Sequence, residues 1–125
     1  MKKIIATNKA PQAIGPYSQA IEAHGMLYFS GQIPLIPETG ELVDGNVEVQ
    51  TARVIENLKA ILEAAGATLD DVVKTTVYIT DMNNFGMVNA IYERYFEKDC
   101  PARVCVEVSK LPKNAMVEID VIAVR

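Results

Sequence analysis

Arg103, Cys105 and Glu107 alternate with Val104, Val106 and Val108, and Glu118 sits in a second alternating run from Met116 to Val124. A period of two puts each set of side chains on one face of a strand. An arginine offers a planar fork that matches a carboxylate through two parallel hydrogen bonds, and a glutamate can hold or deprotonate water. Arg103 and Glu118 are therefore the candidate catalytic pair: one to anchor a carboxylate-bearing substrate, the other to activate water beside it. The same two residue types also make an ordinary structural salt bridge, and spacing does not choose between these readings. Cys105 shares the face of Arg103, whose charge favours a thiolate. Without a histidine base beside it, however, Cys105 reads as pocket lining rather than as a nucleophile.

Other chemistries are excluded more sharply. His24 is the only histidine, followed by Gly25 in a turn-like context, so one chain can assemble neither a His-based triad nor a multi-histidine metal site. No metal ligand set is expected. The stretches Ile14-Gly15-Pro16-Tyr17-Ser18-Gln19-Ala20 and Ser30-Gly31-Gln32-Ile33-Pro34 lack the glycine and lysine spacing of a phosphate loop or a dinucleotide fingerprint. Gly31, following a short apolar run, is nevertheless a place where a backbone N–H can approach a ligand closely. Asp70-Asp71 suits a cap or turn better than a glycosidase acid pair. Tyr92, Tyr95 and Phe96 fall at helical spacing and belong to a core or an interface.

Lys and Arg number 12 against 16 Asp and Glu, a formal charge of −4, and the longest basic cluster is Lys2-Lys3. Nucleic acid is a disfavoured partner for such a chain. Two cysteines, Cys100 and Cys105, fit free thiols in a reducing compartment better than a disulfide framework. No apolar run is long enough for a bilayer, and the Met1-Lys2-Lys3-Ile4-Ile5 start turns polar too soon for a signal peptide. A cytoplasmic protein without membrane association is the expectation.

Several elements must position these residues. Met26 to Ser30 reads as a buried strand between Gly25 and Gly31. From Val47 to Ala65 the apolar residues Ile55, Leu58, Leu62 and Ala65 recur at helical spacing, with Asn46 as N-cap and Gly66 past the C-terminus. The β-branched run Val72 to Ile79 predicts a central strand. A second helix, capped by Asp81 or Asn83, carries Phe85, Val88, Tyr92 and Tyr95 on its apolar face and ends at Cys100-Pro101. In the strand after it, Val104, Val106 and Val108 are expected on the interior face, opposite Arg103, Cys105 and Glu107. In the last strand Val117, Ile119, Val121 and Ala123 form the apolar side, with Glu118 away from it. The order gives an α+β layer in a single domain spanning residues 1–125, with both helices on one sheet face. Half of the residues are apolar, high for so small a chain, and the bare sheet face suits a contact between two or three copies.

Together these segments resemble the RidA/YjgF family of small deaminases over nearly the whole chain, from Ile5 to Arg125. The resemblance is carried by Ile14 to Ala20, by Ser30 to Pro34, by Val88-Asn89-Ala90-Ile91-Tyr92, and by Pro101 to Val108 followed by Leu111-Pro112 and Val117-Glu118-Ile119. It implies a chorismate-mutase-like fold with a six-stranded mixed sheet, and a homotrimer with ligand sites between subunits. It further implies hydrolysis of 2-aminoacrylate-type enamines and imines, released by pyridoxal-phosphate-dependent dehydratases, to 2-oxo acids and ammonia without any cofactor. Carried over residue by residue, Arg103 matches the carboxylate-binding arginine and Glu118 the water-positioning glutamate. Tyr17, Ser30, Gly31, Asn89 and Cys105 match the lining of the substrate pocket. Val104 is bulkier than the small residue often found there. The family fold would set the Val72 and Arg103 strands in parallel, whereas a hairpin across Ser109 to Ala115 is equally compatible with the pattern. Similar proteins have also been labelled ribonucleases or translation initiation inhibitors, and a non-catalytic ligand-binding trimer is a third reading. The acidic charge and missing catalytic histidines weigh against the ribonuclease.

Overall fold

The computed structural model describes residues 1–125. The first helix, α1 (Val47–Ala64), begins where the Asn46 side chain accepts a hydrogen bond from the Val49 N–H at 3.0 Å. It ends in a Schellman arrangement: Gly66 takes φ +77°, and the Gly66 and Ala67 N–H groups donate to Glu63 and Leu62 carbonyls. Val54, Ile55, Leu58, Ile61 and Leu62 form its fully buried stripe. Truncating such a residue, for example Leu58→Ala, is expected to cost about 2–5 kcal/mol. Two amides on the same helix are buried because they tie down loops. Asn57 donates to the Leu35 carbonyl at 2.9 Å, and Gln50 accepts from the Met116 N–H at 2.8 Å.

Six strands make one mixed sheet: β1 (Lys3–Ile5), β2 (Ala20–Ala23), β3 (Met26–Phe29), β4 (Val72–Ile79), β5 (Ala102–Glu107) and β6 (Val117–Val124), in the order β1-β2-β3-β6-β4-β5. Strands β4 and β5 are parallel, connected through the second helix, α2 (Phe85–Tyr95), and every other neighbouring pair is antiparallel. The hairpin reading across Ser109 to Ala115 is thereby excluded: β6 pairs with β4, not with β5. His24 (φ +53°) and Gly25 (φ +76°) make the tight β2–β3 turn. Thr68 and Asp71 close a capping box around a short 3₁₀ turn ahead of β4, the turn role expected of Asp70-Asp71.

The core lies between the sheet and the helices. Val77 and Ile79 of β4 face it together with Val117, Ile119, Val121 and Ala123 of β6. The other face is bare, and an apolar row of Ile4, Ile21, Tyr28 and Ile122 runs across four paired strands. Ile4 and Tyr28 are 52% and 43% exposed.

Three expectations need correction. Val104 and Val106 do not face the core; they stand 43% and 38% exposed on the bare face, while Cys105 packs against the core. The reason is register. In the parallel pairing Thr75, Val77 and Ile79 lie beside Arg103, Cys105 and Glu107, so the polar set of β5 shares the helix-covered face. Since β5 is the sheet edge, its charged ends reach past the margin, and Glu107 accepts from the Met82 N–H at 2.7 Å. Second, Asp81 caps a 3₁₀ turn, Met82–Asn84, rather than the helix itself, and α2 stops at Tyr95, not at Cys100. Phe96 leaves the helical region (φ −121°, ψ 81°) to bury its ring against Tyr92, which unwinds the chain before Pro101 can. Third, β3 is buried on one side only, through Leu27 and Phe29.

Candidate active site

After β3 the chain is held close to β6 by a two-way backbone bridge, in which Gln32 and Ile119 each donate to the other at 2.9 and 3.1 Å. This bridge sets Gly31 against Glu118. A Cβ at Gly31 would lie 2.9 Å from the Glu118 carboxyl carbon, so a larger residue there would displace the carboxylate. Ser30 is occupied in building the wall: its N–H donates to the Gln19 carbonyl at 3.0 Å, and its Oγ to the Ser18 carbonyl at 2.6 Å. The buried Gln19 amide in turn clamps the preceding segment, accepting from the Thr7 N–H and donating to the Pro11 carbonyl, each at 2.7 Å. Thus fixed, that segment presents Tyr17, 50% exposed, over a cavity of about 460 Å³.

Glu118 forms part of the cavity wall with Tyr17, Ser30, Gly31, Gln12 and Lys113. It is half-buried on the bare face of the sheet. Burial pushes its carboxyl above the ordinary glutamate range, and the charge of Asp120 adds to the shift. A carboxylate with a raised proton affinity is a stronger general base than an ordinary glutamate. Gln12 and Lys113 were not singled out by sequence reasoning. Lys113 reaches the cavity because it takes φ +57°, a left-handed conformation that a lysine does not advertise, and its Nζ donates to the Gly40 carbonyl at 3.0 Å.

Arg103, Asn89 and Cys105 gather elsewhere, at the β5 edge beneath α2. Arg103 donates from Nη1 to Asn89 Oδ1 at 2.7 Å, and its guanidinium carbon lies 4.8 Å from the Tyr92 ring centre and 5.5 Å from that of Phe85. The structural salt bridge to Glu118 is absent. Both ion pairs of the chain lie elsewhere, at Lys59–Glu56 and Arg125–Glu22. Arg103 stands beside Thr75 on the helix face, whereas Glu118 stands beside Tyr78 on the bare face. The expectation that both project from the non-core side holds for Glu118 only. Burial pushes the Cys105 thiol up, and the nearby Arg103 charge opposes this only in part, which argues against a ready thiolate. No three His, Cys, Asp or Glu side chains come together as a metal-ligand set, and no helix is long and apolar enough to cross a membrane.

A six-stranded mixed sheet with two helices on one face is the fold of a known class of small proteins. The family model described as Endoribonuclease L-PSP matches residues 7–125. A RutC family protein of Pyrococcus abyssi is 57% identical over 122 residues, 98% of this chain and 96% of that protein. The 2-iminobutanoate/2-iminopropanoate deaminase of Escherichia coli K12 is 51% identical over 128 residues, covering 100% and 99%. Among solved structures, E. coli TdcF with bound serine superposes with a TM-score of 0.94 at 46% identity, covering 98% of each chain. The chain belongs to this family, that of the RutC, RidA and YjgF proteins, and has its α+β fold.

Proposed function

We propose that this protein is a 2-iminobutanoate/2-iminopropanoate deaminase: a hydrolase of C=N bonds converting 2-aminoacrylate-type enamines and their imines to 2-oxo acids and ammonia. The observation that carries the reading is a guanidinium held in place with no carboxylate to neutralise it, in a chain whose cavity is walled by a proton-affine glutamate. Half-identical relatives named for this reaction support it, as does a relative whose structure holds serine, a small amino acid bearing a carboxylate.

Because Arg103 and the cavity residues lie on opposite faces, the proposed site is shared between chains: Arg103, Asn89 and Cys105 from one subunit meet Tyr17, Ser30, Gly31 and Glu118 of the next. A homotrimer closed over the apolar bare face provides such clefts. Nε and Nη2 of Arg103 take the substrate carboxylate, assisted by the Gly31 N–H, which leaves the imine carbon facing the cavity. Water held by Glu118 adds to that carbon as the carboxylate takes its proton. Glu118 passes that proton to the nitrogen, giving the carbinolamine. It then takes the hydroxyl proton as the C=O forms and the C–N bond breaks, and hands it to the departing nitrogen, which leaves as ammonia. An elevated pKa suits both halves of that exchange. Such imines hydrolyse spontaneously, so the remaining barrier is small enough for orientation and one general base, and no cofactor is called for. The proposed setting is the cytosol, beside pyridoxal-phosphate-dependent dehydratases that release the enamine.

The family model's description favours a second reading, an endoribonuclease. A net charge of −4 and a sole histidine confined to the β2–β3 turn count against it. The deciding experiment follows 2-oxo acid and ammonia formation from dehydratase-generated enamine with and without the protein. The deaminase gives release faster than the spontaneous rate, and an unchanged rate overturns the proposal.

A further inference from the structure

Thr75 and Arg103 are register partners on the parallel strands β4 and β5, side by side on the helix-covered face. Tyr92 of α2 lies over both. Its hydroxyl shares a 2.8 Å hydrogen bond with Thr75 Oγ1, both residues being buried, and its ring centre is 4.8 Å from the Arg103 guanidinium carbon. The ring also packs on Phe96, with centroids 4.6 Å apart. The hydrogen bond at its tip and the contact with a second ring hold the buried Tyr92 in place. Phe85 and Asn89 complete the cradle.

An acidic partner would hold the arginine as firmly but would cancel the charge that a substrate carboxylate needs. Aromatic faces and an amide oxygen fix the guanidinium and leave its charge intact. We propose that Tyr92, locked by Thr75, is a positioning residue for the reaction: its ring face pre-orients Arg103 so that little side-chain entropy is lost when the carboxylate binds. This deepens the reading of Arg103 as the carboxylate anchor and rests on it.

The test compares three replacements at one position. Tyr92→Phe keeps the ring face. Pentafluorophenylalanine incorporated at position 92 keeps the shape but inverts the ring's electrostatic face, and Tyr92→Leu removes the ring. Pyruvate affinity by calorimetry is measured beside KM and kcat for dehydratase-generated 2-aminoacrylate. Relative to Tyr92→Phe, the fluorinated protein is expected to bind pyruvate about 2- to 30-fold more weakly and to raise KM in parallel, with kcat less affected. A residue that merely fills the core would leave affinity and KM equal in the two. That equality overturns the proposal, and the Phe and Leu variants provide the same comparison if the fluorinated chain does not fold. Arg103→Lys, run alongside, separates the two layers: wild-type pyruvate binding there removes the anchor itself, whereas loss of binding there with no effect of the ring removes only Tyr92.

Discussion

Arg103 and Glu118 stand on the two strands that flank β4, and they project from opposite faces of the sheet. Strand β4 and the sheet itself separate them within one chain. If both act on one substrate, they do so from different subunits.

Glu118→Gln is expected to bind 2-oxo acid products as the parent does, because the amide is nearly isosteric and the Arg103 fork is untouched. Turnover should fall by about two to four orders of magnitude, since an amide cannot accept the proton. Fast spontaneous hydrolysis favours the lower end. Product calorimetry beside steady-state ammonia release checks this, and unchanged turnover would remove Glu118 from the chemistry.

Gly31→Ala should reproduce much of that loss without touching an ionisable group. The added methyl would meet the Glu118 carboxyl, 2.9 Å from its carbon, and push it off the cavity wall. Activity is expected to drop far more than melting temperature. An alanine variant as active as the parent would show that the position of Glu118 is not critical.

The acidic limb of kcat/KM should lie above the ordinary glutamate range. Burial first, then the Asp120 charge, raise the Glu118 carboxyl, and the reaction needs its deprotonated form, so activity falls as pH drops through that raised value. Asp120→Asn removes the like charge while leaving an acceptor for the Tyr78 hydroxyl, which donates to Asp120 at 3.1 Å. The limb should therefore move to lower pH. A pH profile that stays in place would assign the limb to another group.

Much of this was legible beforehand because it rests on local chemistry. Asn46, Gly66 and the stripe through Ile55, Leu58 and Leu62 define α1 by capping and periodicity, β4 follows from its β-branched run, and β6 from alternation. What alternation leaves open is which face meets the helices. At β5 the valines read as interior, yet the parallel register with β4 turns Cys105 inward and leaves Val104 and Val106 bare. Register depends on partners distant in sequence, so the separation of Arg103 from Glu118 was hidden for the same reason. Strands β1 and β2, with 3 and 4 residues, are too short to carry a period, and Lys113 enters the cavity through a backbone conformation its side chain does not signal.

The most direct test of a shared site mixes two inactive chains. Arg103→Lys and Glu118→Gln proteins, each purified alone, are expected to have little activity. Unfolded together at equal amounts and refolded, they form mixed oligomers in which some clefts pair an intact Arg103 from one chain with an intact Glu118 from its neighbour. Random assembly places both intact residues in about a quarter of the clefts, so activity should return to roughly a quarter of the parent's. Activity that stays at the level of the separate variants would contradict the intersubunit site, and with it the account of how this fold does its chemistry.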